Sequence, residues 1–253
     1  QSRSSAASDV YKRQLMDKTD ASTLKKSLPR MSVRDDEGWR AFREVIDSGK
    51  GAFVLCSHLG VIGVLPALPE TLSRRQRRKA SECDEALPMR VPKVHAFQQM
   101  GHDAVFMDVF MRHFDRSRIE LHAVEDIGVE TAVSMQEAIA RGELVIMAGD
   151  RTSAGSRSVL RHRFLGRECL WPKGAFRFAE LMEAPIFGIT CVRTGWNGYE
   201  VHVARLGCPS SARNPGCTAD LLDGYIGFLE AEVKAHPEQW YQFYDFFEDG
   251  AHK

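Results

Sequence analysis

Ser57 and His58 stand where the apolar run Phe53-Val54-Leu55-Cys56 gives way to a second apolar segment beginning at Leu59. An imidazole titrates near neutral pH, so a histidine at such a junction can take a proton from a hydroxyl as general base. It can equally do no more than cap a turn through hydrogen bonds, and these residues alone leave both readings open. A second polar group, Gly149-Asp150-Arg151-Thr152, follows the apolar run Leu144-Val145-Ile146-Met147-Ala148. A carboxylate and a guanidinium beside a glycine suit binding of phosphate or sugar hydroxyls, or form a structural ion pair. Glu125-Asp126 ends a third run. Two acids there favour a helix amino terminus, and they are also candidate partners for the imidazole.

The elements that must position these groups follow from pattern. Bounded by Gly49 and Gly51, the run before His58 reads as a buried strand, and residues 59–68 read as the start of a helix. His58 then lies at a strand's carboxyl end, the edge where open α/β sheets bind ligands. Ser57 is not its nucleophile partner, because adjacent strand residues face opposite ways. Residues 36–48, with Trp39, Phe42, Val45 and Ile46 at helical spacing, read as a helix stopped at Gly49. Strands are expected near 91–95, at 119–124, 144–148, 186–192 and 199–204, the last two as a hairpin. Helices are expected at 102–114, 129–140, 173–182 and 221–233. The order predicts one α/β domain: a central, mixed but mostly parallel sheet flanked by helices on both faces.

Ser57-His58-Leu59-Gly60 followed by an apolar segment resembles the active-site segment of the lysophospholipid acyltransferase superfamily. The branch it resembles most is that of the bacterial lipid A late acyltransferases and their predicted relatives. Gly149-Asp150-Arg151, then Phe164-Leu165-Gly166, then Pro172-Lys173-Gly174 opening a helix, continue the resemblance in order, and the aromatic tail 236–247 completes it. The family motif is His, four residues, then Asp or Glu. Here the acid's position holds Gly63, and Arg163 stands where the family has Pro.

The resemblance implies an O-acyltransferase that moves a fatty acyl group from an acyl carrier protein or coenzyme A thioester to a hydroxyl of a glycolipid or lysophospholipid-like acceptor. His58 would be general base. Asp150 and Arg151 would position the acceptor or the oxyanion, while Arg157, Arg163, Lys173 and Gly174 would meet phosphate or carrier charge. No metal or organic cofactor is implied beyond the acyl donor. The expected place is the inner face of the cytoplasmic membrane, peripherally bound. Gly63 leaves two versions: a carboxylate from elsewhere (Asp150, Glu125 or Asp126) supports His58, or the protein binds acyl lipid or carrier without efficient turnover.

The 253 residues carry 34 Lys plus Arg against 34 Asp plus Glu, so no global field points to nucleic acid. Ser73-Arg74-Arg75-Gln76-Arg77-Arg78-Lys79 is the strongest charge run, a solvated loop or a patch for anionic headgroups. Six cysteines without a Cys-x-x-Cys pair read as reduced thiols, and the nine histidines lack metal-ligand spacing along the chain. Residues 1–14 read as a non-native leader, 15–35 as a linker or partial helix, and 36–253 as the acyltransferase-like domain. No stretch approaches the roughly 20 apolar residues of a spanning helix.

Overall fold

The structure, a computed structural model, describes residues 30–67, 90–99, 118–152, 158–207, 217–242 and 246–247. The expected leader, the cation run at 73–79, the helix at 102–114 and Arg157 lie outside the described residues.

Seven strands form one sheet: β1 (Arg30–Val33), β2 (Ala52–Gly60), β3 (Val94–Gln98), β4 (Ile119–Ala123), β5 (Leu144–Ala148), β8 (Ile186–Arg193) and β9 (Gly198–Gly207). Their spatial order is β1-β9-β8-β2-β5-β3-β4. The five from β8 to β4 run parallel, β9 returns antiparallel to β8, and β1 pairs parallel with β9. Between β5 and β8 lies a separate antiparallel hairpin, β6 (Val159–Phe164) and β7 (Arg167–Pro172). Four helices, α1 (Glu37–Asp47), α2 (Val129–Ala140), α3 (Lys173–Leu181) and α4 (Cys217–Ala235), and three short 3₁₀ segments complete the described elements. This is the mixed, mostly parallel sheet that the sequence predicts.

The sheet is covered on both faces, which is why β2 reads as an unbroken apolar run. Alternation sends Ala52 and Val54 toward Trp39, Phe42 and Ile46 of α1, with Phe187 and Ile189 beside them. Phe53 and Leu55 point the other way, into a larger core with Phe176 and Phe178 of α3 and Tyr225 and Leu229 of α4. Helix α1 starts where the Asp36 carboxylate accepts the Trp39 N–H at 3.0 Å, a side-chain cap.

Three elements differ from expectation. Arg30–Val33, inside the stretch read as linker, is an edge strand, because Met31 finds burial in the α1–β9 core. Residues 59–68 do not begin an α-helix: β2 continues to Gly60, and a 3₁₀ segment, Ile62–Ala67, follows. Gly60 has φ +71°, and a Cβ there would lie 2.0 Å from the Cys191 carbonyl oxygen, so the chain crosses β8 too closely for any side chain. Strand β3 begins at Val94, beyond Pro92, which has no N–H for the ladder.

Candidate active site

Strands β2 and β5 are paired up to Cys56 opposite Ala148, and the Gly149 N–H then donates to the Cys56 carbonyl at 2.9 Å. A Cβ on Gly149 would sit 3.0 Å from the Tyr225 ring. Its absence lets that ring pack against the strand tip, where the Tyr225 hydroxyl donates to the same Cys56 carbonyl at 2.8 Å. The next residue, Asp150, therefore leaves β5 in a fixed direction, toward His58.

Asp150 is fully buried. Its Oδ1 lies 2.7 Å from His58 Nδ1, and its Oδ2 accepts the His58 backbone N–H at 2.7 Å. Gln242 Nε2 donates to the same Oδ2 at 2.8 Å and Trp240 Nε1 at 3.4 Å. A buried carboxylate is tolerated only with such a set of donors. The imidazole is different: its side chain is 32% exposed. The carboxylate selects the tautomer with the proton on Nδ1, and Nε2 keeps a lone pair for an incoming hydroxyl. An imidazole oriented in this way by an acid is the arrangement that activates hydroxyl nucleophiles in triads.

Neighbouring groups are unsuited to that role. Burial, and then the charge of Asp150, push the Cys56 thiol up to about 12, so it stays protonated and inert. Ser57 is buried, its Oγ accepting the Leu59 N–H at 3.2 Å. The carboxylate on the imidazole thus comes from β5 and not from position 63, where Gly63 lies in the 3₁₀ segment. Glu125 and Asp126 are exposed in a 3₁₀ turn after β4.

Arg151 joins the site indirectly, donating to the Tyr241 carbonyl at 3.0 Å and the Gln242 side-chain oxygen at 3.2 Å. It holds the closing segment in place. Arg163 is exposed on β6 and donates back to the Gly166 carbonyl of its own hairpin turn. Lys173 and Gly174 are exposed at the start of α3, and a Cβ on Gly174 would meet nothing within 4 Å. Nothing steric demands a glycine there.

The tail is where the sequence reading falls short. Noted there only for its aromatic residues, it is a 3₁₀ turn, Pro237–Gln239, followed by extended residues that complete the site. Leu59 and Trp240 form an antiparallel bridge, and the Tyr241 N–H donates to the His58 carbonyl at 3.0 Å. Trp240 also leans on Phe164 and Phe246, with ring centroids 5.1 and 4.9 Å apart. A glutamine set among aromatics, Gln242, was the signal that this segment does more than fill space. Sequence spacing likewise hides two histidine clusters that strand pairing and helix packing assemble: His95 with His122, and His202 with Glu232 and His236.

The site is thus an acid–imidazole pair at the carboxyl ends of the central parallel strands of a mixed α/β sheet. Residues 86–248, more than half of the chain, match the family described as bacterial lipid A biosynthesis acyltransferase. The chain belongs to that family. The matched stretch contains Asp150 and the closing segment, and His58 lies upstream of it. A solved structure, the 1-acyl-sn-glycerophosphate (LPA) acyltransferase PlsC from Thermotoga maritima, aligns at 10% identity with a TM-score of 0.41. That alignment covers 88% of this chain and 80% of that one. No curated protein matches the sequence. Among the described residues, no helix is long and apolar enough to cross a membrane.

Proposed function

We propose that this acyltransferase-family protein moves a fatty acyl group from an acyl carrier protein or coenzyme A thioester to a hydroxyl of a glycolipid or lysophospholipid-like acceptor. The observation that carries the reading is the 2.7 Å contact between a fully buried Asp150 and the Nδ1 of a partly exposed His58. His58 Nε2 takes the acceptor's hydroxyl proton as the oxygen attacks the thioester carbonyl. Asp150 keeps the ring in register and balances the imidazolium. As the tetrahedral intermediate collapses, the C–S bond breaks and the imidazolium returns its proton to the departing thiolate, so the products are an ester and a thiol. The chain's own residues account for the proton inventory.

Arg163, Lys173 and the cations at 73–79 are proposed to meet anionic headgroup or carrier charge, with the protein bound peripherally at the inner face of the cytoplasmic membrane. The test is mass spectrometry of lipids from cells expressing wild type, His58→Ala or Asp150→Asn, with thioester turnover by the purified proteins beside it. New acylated lipid is expected with wild type and none with His58→Ala. Asp150→Asn should lower turnover roughly 10³–10⁴-fold. Lipid profiles unchanged in all three strains, with acyl thioester still bound, would leave a binding protein in which Gly63 marks lost catalysis.

A further inference from the structure

A second constellation lies on the outer strands of the sheet. Register places His95 of β3 opposite Glu120 of β4 and Phe97 opposite His122, so His95, Glu120 and His122 share one face. His95 Nδ1 is 3.0 Å from His122 Nε2 and 3.7 Å from Glu120 Oε2, and His122 Nε2 is 3.8 Å from Glu120 Oε1. Bonds of about 2.0–2.1 Å to a tetrahedral ion put its ligand atoms about 3.3–3.4 Å apart, which these separations bracket. We propose that His95, His122 and Glu120 bind a divalent transition metal, zinc by preference, with the fourth position open to water.

The surroundings carry the argument further than spacing does. On the far side of His95, Nε2 lies 2.6 Å from Glu143 Oε2, and Glu143 is in turn held by Arg141 Nε at 2.9 Å. A carboxylate that takes the proton of one ring nitrogen leaves the other as a lone pair, the support found behind metal-bound histidines. The His95 ring is buried, 4% exposed, which fixes that orientation. His122 stacks on Phe97 with centroids 5.0 Å apart. Two imidazoles and one carboxylate make the His₂Glu donor set that zinc accepts, and Glu120, half exposed, opens it to solvent. Lys93 Nζ, 2.7 Å from Glu120 Oε2, is the cation the metal must displace.

His95 is level with Val145 on β5, which is level with Phe53 on β2, each five residues before its member of the dyad. At about 3.3 Å per residue the metal lies about 16 Å from the dyad, toward the opposite rim. Its role is to clamp β3 to β4, the outermost pair among the described strands.

The test uses the full-length protein stripped with chelator and titrated with cobalt(II), whose visible bands report tetrahedral coordination, and then with zinc in competition. One equivalent with tetrahedral bands, and a thermal midpoint raised by zinc, are expected. Glu120→Gln and His122→Phe should abolish the bands, the second keeping the ring stack on Phe97. Glu143→Gln should weaken zinc binding about 10–100-fold. His236→Ala, in the other histidine cluster, should leave the bands unchanged. Absence of bands at millimolar cobalt, their survival in both Glu120→Gln and His122→Phe, or their loss in His236→Ala would overturn the assignment.

Discussion

At the scale of single residues, the site is a carboxylate held still so that an imidazole can be. Asp150 receives hydrogen bonds from the backbone and ring of His58, from Gln242 and from the Trp240 indole. Gln242 donates twice to that one residue, at 2.8 Å to Oδ2 and 3.1 Å to the backbone carbonyl. Gln242→Leu removes both bonds while filling similar space. A hydrogen bond to a buried charge contributes about 1.5–3 kcal/mol, so kcat should drop about 10–100-fold with KM for the acyl thioester little changed. Steady-state kinetics on the purified variant would show it; a change confined to KM would place Gln242 in substrate binding instead. Asp150 was legible as a polar residue after a strand, and His58 by the same logic. What joins them is the β2–β5 pairing, which no spacing of 92 residues along a chain displays.

Among the elements, the β6–β7 hairpin acts on the site through Trp240. Its turn places Leu165 and Gly166 at φ +52° and +82°, the mirror-image turn that follows strand twist. Phe164, fully buried at the strand end, lies 5.4 Å from Trp171 and 5.1 Å from Trp240 between ring centroids. The hairpin thus supports the indole that supports Asp150. Phe164→Ala should cost about 3–5 kcal/mol of stability, read by denaturant unfolding, and should also reduce turnover where the protein remains folded. Stability lost with turnover intact would uncouple hairpin from site. In the hairpin, Arg161, His162 and Arg163 interrupt the apolar pattern between Leu160 and Phe164, so the sequence shows no strand period there, and the aromatic contacts secure the element. By contrast α2, β4, β5, α3 and the β8–β9 pair are close to their sequence-derived bounds, because each has an apolar period that packing preserves.

For the molecule as a whole, pH acts through a network far from the dyad in sequence. His202, 1% exposed, bonds to Glu232 through Nδ1 and to Glu200 through Nε2 at 2.8 Å, while Arg34 reaches Glu232 at 3.3 Å. Burial opposes charge on His202, but the bonds to Glu232 and Glu200 outweigh it and raise its pKa above 6.5. Burial likewise works against the Glu232 charge, and the His202 bond overcomes it, lowering the pKa below 4.5. A raised basic pKa contributes stability that is complete below about 6.5 and is lost as pH rises through the folded value. A lowered acidic pKa contributes stability that is lost as pH falls through the folded value. The network is therefore strongest in mildly acidic to neutral solution. Wild type should exceed His202→Gln in denaturant midpoint by more at about pH 6 than at about pH 9, and a constant gap would mean that His202 is neutral when folded. The network ties β9 to the end of α4, from which the closing segment departs toward the dyad.

One bond described above has an experimental consequence of its own. Because the same carboxylate clasps both the ring and the main-chain amide of His58, the ionisation of Asp150 is reported by a single peptide group. The nitrogen resonance of that amide, followed during an acid titration of the protein, is a spectator's view of the His58–Asp150 pair, and it needs neither donor nor acceptor to be known.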